Sequence, residues 1–410
     1  MKIAIIGGGA AGMMCAATVN EANPEAEVFL LEKNSELGKK VIISGGGRCN
    51  VTTGIEDLLV VSKKYPRGAK FLQSALHRFT PRDVWDWFEA HGVPLKREAD
   101  QRVFPISNDG HDVVGAFTRF FAHSNTKVLL KHDVLAIQKE DVGFAILFKA
   151  GEPLFADRVV LSLGGQAYRF TGSTGDGYTL AEMMGHHITP LAPSLNSFVT
   201  LEKWPKSISG LSFKQATITA NRVQRYSFTG PFLFTHSGVS GPAVFALSSL
   251  VAFEKYGPTQ PLAVTIDLLP EISAETLFVN IKKLLQDTPK KSFKNTLHTL
   301  VPASLAELIC VQLNIPLEKK NSEINKQTLR AALEWVKNIP LTVIGRGAGD
   351  EFVTAGGVEL AEVDQRTMES KICPGLYLAG EILNVDGFTG GFNLQASWAT
   401  GHAAGLGATN

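Results

Sequence analysis

Three glycines at fixed spacing follow the first apolar run of the chain. Ile3-Ala4-Ile5-Ile6 leads into Gly7-Gly8-Gly9-Ala10-Ala11-Gly12, and an Ala-rich stretch from Met13 to Asn20 comes next. Between a strand and a helix, such a turn lets the backbone approach a pyrophosphate, packs the helix closely on the strand and points the helix N-terminus at the anion. A glycine turn alone is weak evidence, so the second strand matters. Glu27-Val28-Phe29-Leu30-Leu31 ends at Glu32, 20 residues past Gly12. A carboxylate there accepts the hydroxyls of an adenosine ribose and repels a 2′-phosphate, which points to FAD or NAD rather than NADP.

Further glycine clusters recur along the chain. Ser44-Gly45-Gly46-Gly47-Arg48-Cys49-Asn50 follows an apolar stretch and would let backbone lie against a flat cofactor, with Arg48 offering fixed donors; a surface loop is the alternative. Arg158 to Leu163 reads as a buried strand ending at Gly164-Gly165, and Thr174-Gly175-Asp176-Gly177 precedes a helical pattern over 178–185. Near the C-terminus Gly375 to Glu381, with Gly380, leads to Asp386-Gly387-Phe388-Thr389-Gly390-Gly391-Phe392-Asn393-Leu394-Gln395 and a small-residue helix. Three single residues have two readings each. His236 is a general acid or a hydrogen-bonded loop histidine. Cys49 is a redox-active thiol whose pKa Arg48 lowers, or a small buried filler. Arg102 binds an anionic substrate or forms a surface salt bridge.

The elements that must hold these residues follow from pattern and composition. The 410 residues carry 40 Lys and Arg against 39 Asp and Glu, so a net charge of +1 offers no general attraction for polyanions. Nucleic acid is therefore not expected as a partner, and a small-molecule substrate is. Hydrophobic residues make up 44% and charged residues 19%, with no apolar run long enough to span a bilayer. No membrane association is expected, and with no export signal after Met1 the expected location is the cytoplasm. The four cysteines are scattered without C-x-x-C, so neither a disulfide framework nor a metal site is expected. Residues 194–265 alternate in short β-rich runs broken by Gly and Pro, whereas 273–338 read as helices with Ser273 and Asn325 as caps and Pro302 in the first turn of 303–314. Lys282, Lys283, Lys290, Lys291 and Lys294 stand against one acid, Asp287; a solvated helix face accounts for them, a phosphate or RNA contact being the alternative.

Taken in order, these stations resemble the two-dinucleotide-binding-domain flavoproteins of the fumarate reductase and aspartate oxidase superfamily. I-S-G-G-G-R-C-N-V-T and F-T-G-G-F-N-L-Q-A-S-W-A-T-G look like the bacterial YhiN/BaiN family of FAD-dependent oxidoreductases, over nearly the whole chain. The resemblance implies an α/β fold: a split Rossmann-like FAD domain (1–190 and 354–410), an inserted small β-barrel (191–265 and 339–353) and a helical insert (266–338), the last two forming a substrate-side lid. It implies that FAD is contacted by Gly7, Gly9, Ala10, Ala11 and Gly12 at the pyrophosphate, Glu32 at the ribose with Lys33 and Lys39, and Val134 near the adenine. Ser44, Gly45, Gly46, Arg48, Cys49 and Asn50 would lie beside the flavin with Gly164 and Gly165. Gly380 and Glu381 would meet the ribityl chain, followed by Asp386, Gly390, Gly391, Asn393, Leu394 and Gln395 toward the pyrimidine edge. Between 38 and 50 there is no His of the kind that relatives use to bind flavin covalently, so noncovalent FAD is expected. The residue five after Cys49 is Gly54, against a paired-thiol relay. No second G-x-G-x-x-G is present; Gly345-Arg346-Gly347-Ala348-Gly349-Asp350 has Asp in the last place. A nicotinamide donor, NAD(P)H, would dock transiently, with an enone or related C=C bond as acceptor; the basic insert and the missing nicotinamide domain leave open the alternative of a flavin-binding sensor or RNA-associated protein in which FAD is structural or regulatory.

Overall fold

The computed structural model describes residues 1–222, 224–347 and 352–410. The last part of the Gly345 to Asp350 string lies outside them. The chain forms two compact units, Met1–Ser194 with Glu351–Asn410, and Leu195–Asp350.

In the first unit five parallel strands lie in the order Leu376–Leu378, Arg158–Leu161, Lys2–Ile6, Glu27–Glu32, Thr126–Leu130. Parallel strands are covered on both faces, hence their continuous apolar runs. Ile3, Ala4 and Ile5 are wholly buried, as are Val159, Val160 and Leu161. The glycine turn leaves the central strand and enters helix Ala10–Ala22, which packs on the C-terminal helix Phe392–Ala408. Small residues permit this contact: a Cβ on Gly401 would stand 2.3 Å from the Ala11 carbonyl oxygen, and one on Gly405 would stand 2.8 Å from that of Cys15. The two ends of the sequence thus build one core. A three-stranded antiparallel sheet (Val134–Lys139, Phe144–Phe148, Leu154–Ala156), a smaller one (Thr52–Thr53, Arg102–Pro105, Leu95–Arg97) and a two-stranded one (Ala192–Ser194, Val353–Ala355) complete the unit with its helices.

The second unit is a closed barrel of six strands: Phe198–Thr200, Gly238–Ser240, Arg225–Phe234, Ser212–Asn221, Leu262–Asp267 and Ile339–Arg346. Alternation fills its inside with Ala216, Ile218 and Ala220 from one strand and Val264 and Ile266 from the next. The helices Ala274–Asp287, Phe293–Leu297, Ala303–Gln312 and Lys326–Lys337 are inserted between its last two strands in sequence. Ser273 and Asn325 cap as their types require, each accepting from the backbone N–H three residues on. Pro302 differs from expectation by one position, standing at the N-cap of a helix that ends at Gln312. No described helix is long and apolar enough to cross a membrane, and no described group of three His, Cys, Asp or Glu residues can hold a metal ion.

A polar knot in the first unit makes a pH prediction. His186, 3% exposed, has Nδ1 3.1 Å from Glu362 Oε2 and Nε2 2.8 Å from Ser370 Oγ, while the exposed His187 ring pairs with Glu362 Oε1. Burial acts to raise the Glu362 carboxyl, but hydrogen bonds from both histidines outweigh it and hold the group below its ordinary 4.5. His187 is held above its ordinary 6.5 by its hydrogen bond to Glu362, and His186 below 6.5 by burial. The depressed carboxyl stabilises above 4.5 and loses this as pH falls through its folded value; the raised His187 stabilises below 6.5 and loses this as pH rises through its own. Glu362→Gln should therefore lower Tm most between pH 4.5 and 6.5, with a smaller deficit on either side; thermal melts across pH 3.5–8.5 check this.

Candidate flavin site

The glycine turn has the conformation its residue types allow. Gly7 has φ +108, and a Cβ there would meet the Ser162 carbonyl oxygen at 2.6 Å; one on Gly12 would stand 1.9 Å from the Gly7 oxygen. Gly9 meets nothing within 4 Å, so its backbone faces open space, and it caps helix Ala10–Ala22 without any side-chain acceptor for the first N–H groups. Helix Phe392–Ala408 starts the same way: Gly391 is its N-cap, in the left-handed region at φ 88, with no side-chain cap. Helix starts left without side-chain partners offer free donors and the positive end of the dipole. A diphosphate and an electron-rich ring edge are the groups such ends accept.

Glu32 closes the turn. Its Oε2 accepts from the Gly8 N–H at 2.9 Å, and its Oε1 accepts from the Asn34 N–H and Nδ2 at 2.8 and 2.7 Å. The half-buried carboxylate is thereby fixed, with lone pairs left for ribose hydroxyls. Lys33 reaches Thr174 Oγ1 at 2.7 Å and pairs with Asp176, and Asn34 donates to the Thr171 carbonyl, which fastens the 171–176 turn to the segment that carries Glu32. Lys39 lies half-buried, 3.8 Å from Glu36, and Val134 is 9% exposed at the head of its strand. Gly164 has φ +75, and Gly165 would drive a Cβ to 2.5 Å from Thr354 Oγ1 and 2.9 Å from Glu381 Oε1. Glu381 in turn accepts from Lys40 Nζ at 2.7 Å and from the Thr354 N–H at 2.9 Å. Gly380, at φ +81, donates its N–H to Thr400 Oγ1 at 2.9 Å on the C-terminal helix.

Gly45, Gly46 and Gly47 are exposed and left-handed, and a Cβ on either of the last two would meet nothing. Beside them the Ser44 hydroxyl donates to the Val41 carbonyl at 2.7 Å and Asn50 Oδ1 accepts from the Val103 N–H at 3.3 Å. The Arg48 guanidinium lies 3.8 Å from the Phe104 ring centroid and donates to Glu98 at 2.7 Å. Arg102 shares Glu98 at 3.1 Å and pairs with Asp100, so of its two readings the surface salt bridge is the one the structure takes.

Three expected cofactor contacts need correction because they present no surface to a ligand. Cys49, Asp386 and Gln395 are each 0% exposed. Asp386 accepts a two-pronged ion pair from Arg67 and a hydrogen bond from Ser194 Oγ at 3.0 Å, tying two distant segments together. Gln395 is held between Thr52 Oγ1 and the Phe79 carbonyl. Cys49 also fails as an activated thiol: burial pushes it up to about 12, with only a small offset from a hydrogen bond to Ser44, so Arg48 does not make it a thiolate. Cys49→Ala should retain flavin and flavin reduction, and the native protein's Cys49 should resist iodoacetamide at pH 8, as peptide mapping will read. Asn393 keeps its side chain on the Gly387 loop, accepting from and donating to the Gly387 backbone at 2.8 Å each; its backbone N–H and that of the half-buried Leu394 stay available, with Gly390 (φ +133) in the turn before them. His236 belongs to the second unit, exposed between strands Arg225–Phe234 and Gly238–Ser240.

Sequence reasoning missed Lys40, Asn34, Arg67, Glu98 and Thr354. Lys40 acts across 341 residues and Arg67 across 319, and no local pattern marks them; Asn34, which acts on Glu32 two residues before it, was within local reach and was overlooked.

The arrangement can therefore hold an extended dinucleotide: a diphosphate at the first glycine turn, a ribose at Glu32, and a flavin edge at the start of Phe392–Ala408. Comparison with known proteins agrees in kind. The family model described as HI0933-like protein Rossmann domain matches residues 1–407. The 3-dehydro-bile acid delta(4,6)-reductase of Clostridium scindens is 31% identical over 410 residues, covering 98% of each chain. The ribosomal RNA dihydrouridine synthase of Escherichia coli is 30% identical over 401 residues, covering 97% of this chain and 96% of that one. Among solved structures, Escherichia coli quinol fumarate reductase matches with TM-score 0.50 at 16% identity, over all of this chain and 70% of that one. The 3-ketosteroid delta1-dehydrogenase of Sterolibacterium denitrificans matches with TM-score 0.52 at 13% identity, over 98% of each. At these identities the two structures share the fold with this chain.

Proposed function

Since the chain belongs to the HI0933-like family, the FAD-dependent oxidoreductases whose motifs it carries, we propose that it reduces a C=C bond conjugated to a carbonyl, with NAD(P)H as electron donor. The observation that carries this is the pair of curated relatives. The names of both describe saturation of such a bond, in a 3-oxo steroid skeleton and in the uracil ring, and both match over nearly the full length. When bound, FAD supplies two-electron hydride chemistry between donor and acceptor. The chain's own contribution is to fix and polarise. Gly7 to Gly12 and the free N–H groups of helix Ala10–Ala22 hold the diphosphate, and Glu32 with Asn34 holds the ribose. The N-terminal N–H groups of helix Phe392–Ala408 would favour negative charge on a flavin held against that helix start. The exposed backbone of Gly45 to Gly47 leaves a flat ring room to lie against it.

The test separates the two half-reactions. Purified protein carrying FAD is mixed anaerobically with NADH or NADPH, and the reduced protein is then mixed with a 3-oxo-4-ene steroid or with uridine-containing RNA. Bleaching at 450 nm by the donor and its return with either acceptor is the expected result; flavin that stays oxidised, or reduced flavin that no conjugated alkene reoxidises, refutes the proposal. If His236 delivers the proton, His236→Ala slows the return of colour more than the bleaching, and equal slowing of both removes it from that role.

A further inference from the structure

The near-neutral total charge hides an uneven division. The segment Leu195–Asp350 carries 17 Lys and Arg against 11 Asp and Glu, and the remainder of the chain carries 23 against 28. Within 273–338 there are 10 Lys and Arg against six acids. The lysines do not scatter evenly over this insert. Leu277, Ile281 and Leu285 bury one face of helix Ala274–Asp287, leaving Lys282 and Lys283 exposed; Lys290 and Lys291 follow in the next turn, and Lys326 opens the helix packed alongside. Among the described residues none of these five is ion-paired. Asp287 stands four residues after Lys283 and Glu323 three before Lys326, yet neither closes an ion pair, so helical spacing does not neutralise this face.

Between the same two helices lies a pocket of about 240 Å³. Phe278 and Leu329 line it with apolar surface, Gln286 and Asn325 with amide groups, and the exposed Lys282 and Lys326 also border it. The Arg330 guanidinium lies 5.2 Å from the Phe278 ring centroid. The pocket is below the roughly 300–1,000 Å³ of sites for drug-sized ligands. It suits one flat ring bearing hydrogen-bonding edges, with anionic groups on either side. Single-stranded RNA supplies this combination: unstacked bases that lie against an aromatic face and phosphates that unpaired lysines neutralise.

We propose that the helical insert is a docking surface for single-stranded RNA, with Lys282, Lys283, Lys290, Lys291 and Lys326 on the phosphate backbone and the Phe278 pocket receiving one unpaired base. It rests on the reductase reading only in making a uracil ring within RNA the acceptor that is brought to the protein. An anionic membrane would meet the lysines and leave the pocket unused.

The experiment uses the full flavin-bound protein and a fluorescein-labelled, uridine-containing single-stranded RNA, read by anisotropy at stepped KCl. Binding is expected to weaken with salt with a log–log slope of roughly −2 to −3, as three or four phosphate contacts on a single strand require. Lys282→Glu with Lys290→Glu and Lys291→Glu should weaken binding at low salt by about tenfold or more and flatten the slope. Phe278→Ala should weaken it on the order of tenfold while leaving the salt slope in place. Melting curves and flavin spectra of all variants should match the parent; for Phe278→Ala, Phe278→Tyr restores binding if a ring face is what matters. No RNA binding by the parent, undiminished binding by the triple variant, or equal displacement of RNA by phosphatidylserine vesicles overturns the proposal. Reduction of a free steroid enone without RNA binding removes the docking surface and leaves the reductase reading intact. Salt-dependent RNA binding with no acceptor reduced does the reverse.

Discussion

Gly12→Val is expected to yield protein isolated without flavin. The substituted residue has no room, since even its Cβ would stand 1.9 Å from the Gly7 carbonyl oxygen and 2.6 Å from Ser162 Oγ. Neither neighbour can retreat cheaply. The Gly7 carbonyl belongs to the turn itself, and Ser162 Oγ is bonded at 3.0 Å to the carbonyls of Ile6 and Gly7. Relief must come from lifting the start of helix Ala10–Ala22 away from the central strand. That would move the free N–H groups away from where the proposed site receives the diphosphate, and it would shift Gly8, whose N–H is 2.9 Å from Glu32. The helix beyond is clamped by its contact with the C-terminal helix, so the fold has a reason to survive while the cradle does not. The flavin-to-protein absorbance ratio of the purified variant, with far-UV circular dichroism as the fold control, reads the result. A variant that retains stoichiometric FAD would show that the diphosphate does not lie at this turn.

Asp386→Ala should cost about 3–5 kcal/mol of stability, the penalty for removing one partner of a buried ion pair. Asp386 is 0% exposed and the Arg67 side chain is 16% exposed, so the guanidinium left behind cannot recover full hydration. Ser194 Oγ loses its acceptor at the same time. The pair joins the segment after helix Leu58–Ser62 to the strand-poor stretch before the C-terminal helix, so its loss loosens the approach to Gly391 as well. Equilibrium urea unfolding measures the loss, and Asp386→Asn, which keeps an acceptor for Ser194 and Arg67, should recover part of it. A deficit under 1 kcal/mol would mean that Arg67 finds another partner.

How much could be read beforehand depended on whether a residue's role was local. Gly7, Gly12, Gly45, Gly164 and Gly380 were legible because glycine provides left-handed backbone at least cost and is the residue without a Cβ, and the demand arises within a few residues. Glu32 was legible because it ends a strand next to the turn. The helices of the insert announced their caps. Asp386, Cys49 and Gln395 were misplaced for a common reason: within a motif, successive side chains point alternately to the ligand and into the protein, and spacing does not say which do which. Lys40–Glu381 and Arg48–Glu98 were invisible, because a pair closed by the fold leaves no periodic trace. The division of charge was hidden by the total itself, since a sum of +1 is silent about a basic segment balanced by an acidic one.

The central claim is that this chain holds FAD at the Gly7 to Gly12 turn and passes electrons from a nicotinamide to a carbonyl-conjugated alkene. One anaerobic stopped-flow record tests it most directly. Flavin absorbance at 450 nm is followed as NADPH or NADH is added, then as a steroid enone or uridine-containing RNA follows. The account predicts loss of the band with donor and its return with acceptor, one equivalent of saturated product appearing per flavin. A band that donor leaves unchanged, or that returns only when oxygen is admitted, would contradict it.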